Sequence, residues 1–200
     1  MSIFRIKILI VIPVRMGSKR LFNKNILPIN GVPMFLRVAY EALKSKYKPF
    51  VVVSSESNII KEKCKENNIF FIKRPKKLSL DTVEKQEVIK HAVKHLLKRK
   101  YKPDIVVSLQ VNTPEFNSID LDNAISFFRK NVFINSPIRE VISIGKDNLQ
   151  NGAFRIMTMK TVFQKTLSTK VGVFFTDYLD IHYIADYKKV IKRINKNEKN

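Results

Sequence analysis

Short runs of consecutive apolar residues alternate along this chain with segments in which apolar side chains recur every three or four positions. The runs Ile6 to Ile12, Phe50 to Val53, Ile69 to Ile72 and Ile105 to Leu109 have the length and β-branched content of strands. Between them, Phe35, Val38, Ala39, Ala42 and Leu43 follow Pro33 at helical spacing, and a second helix is expected from about Asn58 to Asn67. Ile89, Ala92, Val93, Leu96 and Leu97 then lay one apolar stripe on a long helix that stops before Pro103. Ser118 reads as the cap of a further helix through Leu121, Ala124, Ile125 and Phe128. After that helix the pattern is less regular. Strands are expected near Val141 to Ile144, Ala153 to Met157 and Val171 to Phe175, with a last helix from about Ala185 to Ile194 and a frayed tail, INKNEKN.

This strand-helix alternation predicts a three-layer α/β/α domain with a mostly parallel sheet. Ile105 to Leu109, apolar at nearly every position, belongs at the centre of that sheet, covered on both faces. Ligands of such sheets bind beyond the carboxyl ends of the strands. Polar clusters fall there: Arg15 to Asn25, Ser54 to Ser57, Arg74, and Gln110 with Asn112 and Thr113. No repeat and no Gly- or Ser-rich linker divides the chain, so residues 1–200 read as a single domain. The irregular stretch 137–169 is either an accessory subdomain or an ordinary edge hairpin.

Composition narrows the class. A hydrophobic content of 44% with 14 Phe supports a packed core. The formal charge of +21 would suit a nucleic-acid binder, but its lysines are scattered through KSKYK, KEKCK, KHLLKRK and KKVIKR, the pattern of a solvated surface. No RNA-binding or helix-turn-helix signature accompanies them, so no nucleic-acid partner is expected. No stretch reaches the roughly 18 apolar residues of a membrane span. Arg5 and Lys7 ahead of ILIVIP read as the edge of a first core strand rather than a signal peptide. A cytoplasmic protein without a membrane partner is the expectation. The lone Cys64 excludes an internal disulfide and reads as a small buried side chain.

The candidate chemistry lies in VIPVRMGSKRLFNKNILPINGVP, residues Val11 to Pro33, where the first strand delivers a cationic loop. Arg15, Lys19, Arg20 and Lys24 stand within about ten residues, beside a Gly17 that permits unusual backbone angles and close approach, and suit an anion of several charges such as a triphosphate. Neither GxxxxGK[ST] nor GxGxxG is present. Asn25 offers both a donor and an acceptor, for a base edge, a ribose or the loop's own turn. His91 and His95, four apart on one helix, have a chelating spacing, but no HExxH surrounds them and they flank the apolar stripe.

Arg15, Gly17, Ser18, Lys19, Lys24 and Asn25, followed by NGVP, resemble the signature of the acylneuraminate cytidylyltransferase (CMP-sialic acid synthetase) family, which is related to the CMP-KDO synthetases. VVVSSES, KRPKKLSLD, LQVNTPE and LDIHYIADY are similar to further family segments, in family order, and NGAFRI resembles one from the sugar-site and dimer region. The resemblance implies a Rossmann-like nucleotidyltransferase fold, a homodimer, and transfer of CMP from CTP to the anomeric hydroxyl of an acidic 2-keto sugar. It makes Arg15 and Lys24 catalytic. Gly17, Ser18, Lys19, Asn25, Arg74 and Asp81 would join them at the nucleotide, Gln110 at the sugar and Asp180 at Mg2+. Two positions depart from the family pattern. His182 replaces a second acid and is a ligand more typical of zinc or manganese, while Asp186 keeps the third acidic position; Leu80 replaces a serine. The rival readings are a transferase for another nucleotide or sugar, a non-catalytic nucleotide binder, and a basic RNA-binding protein.

Overall fold

Within β1 (Ile8–Pro13), Ile8, Ile10 and Ile12 pack into one core and Leu9 and Val11 into another, in a computed structural model that describes residues 6–18, 20–132, 137–147, 149–165 and 168–197. Successive side chains of a strand point to opposite faces, so a strand that is apolar at every position must lie between two layers. After β1 come a small antiparallel hairpin, β2 (Pro28–Ile29) and β3 (Val32–Pro33), and α1 (Met34–Leu43). The chain continues through β4 (Phe50–Ser55), α2 (Asn58–Glu66), β5 (Phe70–Lys73), α3 (Lys85–Leu97), β6 (Ile105–Leu109) and α4 (Ser118–Asn131). It closes with β7 (Glu140–Ile144), β8 (Gln150–Thr158), α5 (Met159–Phe163), β9 (Val171–Phe175) and α6 (Ile184–Asn197).

The main sheet has the order β5-β4-β1-β6-β8-β7-β9. Strands β5, β4, β1 and β6 pair in parallel, β8 runs against both β6 and β7, and β9 pairs in parallel with β7. Apolar faces of α1, α2, α4 and α6 cover one side, and α3 with Val162 of α5 covers the other. The three-layer, mostly parallel architecture expected from the alternation is what forms. The carboxyl ends of β1, β4, β5 and β6 therefore share one edge.

The stretch 137–169 contributes β7 and β8 to the interior of this sheet, with β9 outside them at the edge. Val141, Ala153, Phe154 and Ile156 belong to the main core. One local expectation is corrected: the α4 cap is Asn117, not Ser118. Asn117 has extended backbone angles, and its side chain accepts a hydrogen bond from the Asp120 N–H at 2.8 Å, which makes Ser118 the first helical residue. Ser57 caps α2 in the same way. Among the described residues no helix is long and apolar enough to cross a membrane.

Replacing Phe154 with Ala tests whether β7 and β8 share the main core. Phe154 is buried and its ring contacts Phe174, so urea denaturation should show a global loss of about 3–5 kcal/mol. A loss under about 1 kcal/mol would mean that this segment folds apart from the rest.

Candidate active site

Three strand ends are joined beneath the site by one buried ion pair. Arg74, which follows β5 and is 3% exposed, donates from Nη2 to Glu56 Oε2 at 2.7 Å and to the Val14 carbonyl at 3.1 Å, and from Nε to Ser79 Oγ at 3.0 Å. Glu56, which follows β4, accepts at its other oxygen from the Met16 N–H at 3.0 Å. Backbone bonds from Val14 N to the Ser54 carbonyl and from Arg74 N to the Ser55 carbonyl extend the same junction. Burial pushes the Glu56 carboxyl up, but hydrogen bonds from Arg74, Met16, its own N–H and Ser79 outweigh it and hold the pKa below the ordinary glutamate value. The Ser54 to Ser57 cluster thus backs the site; none of its residues lines the cleft.

Above the junction opens a cleft of about 580 Å³. Arg15, Ser18, Lys24, Asn25, Arg74, Asp81, Gln110 and His182, all singled out in the sequence, line it. Lys19 lies outside the described residues. Arg15 is ion-paired with Asp81, both side chains being 40% exposed. Asn25 Nδ2 donates to the Arg15 carbonyl at 2.8 Å, so its amide holds the loop's turn. Gly17 has no left-handed φ, contrary to expectation, and a Cβ built on it meets nothing within 4 Å. Its openness, not backbone strain, is what a ligand would meet. Gln110 accepts from Lys85 Nζ at 2.6 Å. The Gly of NGAFRI explains how Gln110 fits: Gly152 has φ +66°, and a Cβ there would stand 2.5 Å from Gln110 Nε2.

The last wall is a strap, residues 176–183, fastened along its length. Asn151 donates to Thr176 Oγ1 at 2.6 Å, Tyr178 bonds Asp120 and Asn117, and the Leu179 N–H donates to Glu115 at 2.9 Å. Arg193 on α6 ties to Glu115 at 2.7 Å and to the Asp177 carbonyl at 2.6 Å. The Ile181 N–H donates to the Asn112 carbonyl at 2.8 Å, while the Ile181 carbonyl accepts from Lys24 Nζ at 2.8 Å. Arg20 stacks over the Tyr183 ring, 5.7 Å from its centre, which joins the first loop to the strap a second time. Asp186 accepts from the N–H groups of His182 and Tyr183, so this carboxylate fixes the start of α6.

Asp180 sits on the strap behind the cleft lining. Burial pushes its carboxyl up to about 6, against the pull of Lys85, Lys24 and Asn112. Its Oδ1 is buried without a hydrogen-bond partner, as is His182 Nδ1, and His182 Nε2 lies 3.7 Å from Asp180 Oδ2. Burial, then Lys24 and Arg20, lowers the His182 pKa and favours the neutral imidazole. Burial lowers the Lys24 pKa too, with Arg20, Arg15 and Lys85 acting against Asp180. Among the described residues no three His, Cys, Asp or Glu side chains cluster to hold a metal ion, and this includes the His91–His95 pair. A cation at Asp180 would need oxygens from a ligand.

Sequence reading missed three contributors, Glu56, Ser79 and Lys85, and named Asn112 only as part of a polar cluster. Glu56 and Ser79 stood inside quoted motifs without a role. Asn112 acts through its backbone carbonyl, which accepts from the Ile181 N–H, and its side chain helps to lower the Asp180 pKa against burial. Lys85 looked like any other lysine of a very basic chain.

The sequence profile of a family described as cytidylyltransferase matches residues 9–171. The N-acylneuraminate cytidylyltransferase of Streptococcus agalactiae is 30% identical over 131 residues, 58% of this chain and 31% of that protein. The enzyme of that name from Escherichia coli is 35% identical over 89 residues, 44% of this chain and 21% of that protein. The matches thus span a third or less of either relative's length. A solved structure of CMP:2-keto-3-deoxy-manno-octonic acid synthetase complexed with CTP superposes with a TM-score of 0.75 over 96% of this chain and 99% of that one. At 15% identity, this likeness shows a shared fold.

The junction beneath the cleft makes a direct prediction. Glu56→Ala leaves Arg74 buried without its counter-charge and should cost about 3–5 kcal/mol in urea denaturation at neutral pH. Because the folded pKa of Glu56 lies below 4.5, its contribution is complete above that pH and is lost as the pH falls through the folded value. The gap between wild type and variant should narrow in acid; a gap that is constant down to pH 3 would refute the assignment.

Proposed function

The chain belongs to the cytidylyltransferase family, and from that premise we propose that its cleft binds CTP and an acidic 2-keto sugar, transfers CMP to the sugar's anomeric hydroxyl and releases pyrophosphate. The observation that carries this reading is convergence. Arg15, Ser18 and Lys24 from the first loop, Asp81 from the stretch after β5, Gln110 at the end of β6 and the strap bearing Asp180 are far apart in sequence and border one cleft.

In such a transfer the anomeric oxygen forms a bond to the α-phosphorus as the bond to pyrophosphate breaks. Little covalent work falls to the protein, so catalysis depends on positioning and on neutralising negative charge. Arg15 and Lys24 do this here. Asp81 holds the Arg15 guanidinium at the mouth of the cleft, and the Ile181 carbonyl holds the Lys24 ammonium. Both cations are placed before the nucleotide arrives. Ser18 and Lys19 cradle the phosphate chain, Gly17 leaves the backbone open to it, and Asn25 keeps the Arg15 carbonyl turned away. Arg74 acts from below by fixing the loop, and Gln110 meets the sugar.

Asp180 fits Mg2+, since one buried carboxylate oxygen is without a partner and hard oxygen ligands suit this ion. Lys24 and Lys85 beside it repel a cation, so the ion is retained only together with the phosphates, in keeping with a site of one carboxylate completed by nucleotide oxygens and water. When bound, Mg2+ neutralises phosphate charge and orients the leaving group. His182 borders the same space as a neutral imidazole. The reading includes a homodimer acting in the cytoplasm; Val171, Val173 and Phe175, left exposed on edge strand β9, favour a second copy.

Pyrophosphate release from CTP and Mg2+ should occur with one member of a panel of eight- and nine-carbon 2-keto sugar acids, should stop with a chelator, and should be weak with ATP, GTP or UTP. Protein that binds CTP yet stays silent across the panel would overturn the reading. Lys24→Ala should lower kcat/KM by about 10²–10³-fold while costing about 1.5–3 kcal/mol of stability for the lost bond to the Ile181 carbonyl, too little to unfold the protein. Turnover close to wild type would remove Lys24 from the machinery.

A further inference from the structure

Lys85 carries a charge that its own helix disfavours. It is the first residue of α3, a helix of 13 residues, where the backbone end is partially positive and a cation is the wrong sign. Nothing compels it to stay for packing, because solvent reaches the side chain. Its anchor is nevertheless firm. Gln86, the next residue, donates to the Val162 carbonyl at 2.6 Å and the Thr161 carbonyl at 3.2 Å, and accepts from Arg155 at 2.8 Å. Val88 and Ile89 are buried. The first turn of α3 is therefore held in place, and Lys85 Nζ is aimed into the cleft against Gln110 Oε1. A wrong-sign residue on a rigid mount, facing a cleft, marks a place where local stability yields to ligand binding.

The cations of the cleft come from different elements. Arg15, Arg20 and Lys24 belong to the loop after β1, with Arg15 paired to Asp81 and Arg74 to Glu56, while Lys24 and Lys85 share the attraction of Asp180. Lys85 comes from a different element and is bonded to Gln110, which Gly152 of the reversed strand β8 admits. Apolar Val83, Val88 and Val111 line the cleft with it and strengthen a charge-assisted bond there.

We propose that Lys85 is a specificity-determining residue that binds the carboxylate of the acceptor sugar, with Gln110 holding an adjacent hydroxyl. The assignment rests on the transferase reading above and names the group that distinguishes an acidic acceptor from a neutral one. An ammonium has three N–H donors, of which Gln110 takes one, and a carboxylate accepts the others.

The test compares the sugar acid that wild type turns over with its carboxamide, in wild type, Lys85→Met and Lys85→Arg, with KM measured separately for acceptor and CTP. Wild type should favour the acid over the amide by about tenfold to a hundredfold in kcat/KM. Lys85→Met should raise the acid's KM by that factor, leave the KM for CTP within about twofold and abolish the preference, while Lys85→Arg retains most of it. Equal use of acid and amide by wild type overturns the inference without any variant. So does a Lys85→Met that weakens CTP or slows both acceptors alike with the preference intact. Wild type that releases no pyrophosphate with any sugar acid fails differently: it refutes the transferase reading, and the inference falls with it.

Discussion

Arg74 and Glu56 meet where the ends of β1, β4 and β5 meet. Two charges taken out of water lose hydration that their mutual attraction barely returns, so such a pair adds little net stability over an apolar contact. What it supplies is position. Between them, the two side chains satisfy the Val14 carbonyl, the Met16 N–H and the Ser79 hydroxyl, and those bonds fix where the first loop leaves the sheet. The stance of Arg15, Asn25 and Lys24 follows from that exit. Geometry at the mouth of the cleft is thus set from underneath, by groups that never need to touch a ligand.

The strap closes the site from the other side and makes it depend on the whole length of the chain. Asp180 is separated from Lys24 by most of the sequence, yet Lys24 reaches the strap through the neighbouring Ile181 carbonyl. Bringing such distant segments together has an entropic cost that one hydrogen bond does not offset. The strap meets it with many: to Asn151, Asp120, Glu115, Asn112 and Arg193, besides the burial of Val190 and Ile194 on α6.

The layers of the fold were legible because the strands of a doubly covered sheet are apolar at nearly every position, and Ile8 to Ile12 or Ile105 to Leu109 have no other stable place. The neighbours of β7, β8 and β9 were not legible, because pairing between strands is not encoded in the local pattern of either. At the site, residues in motifs were found and residues defined by partners were not. Glu56 reads as an ordinary acid until Arg74 is seen buried against it, and Lys85 is invisible among the 38 Lys and Arg of the chain. Gly17 was over-read, since the loop needs its open space and not an unusual backbone angle. Asn117 and Ser118 are both good caps, and only the backbone angles choose between them.

Strand β8 begins where its neighbour β6 ends, since the two run in opposite directions. Half of the rim is consequently made of strand ends followed by loops into helices, and the other half includes the start of a hairpin strand that places Gly152 against Gln110. The two halves answer to different stretches of sequence. Changes in the hairpin can reshape the cleft beside Gln110 while β1, β4 and β5 keep the opposite rim and its cationic loop intact. A lineage built on this sheet can vary one side of its cleft by rewriting one hairpin, without disturbing the other.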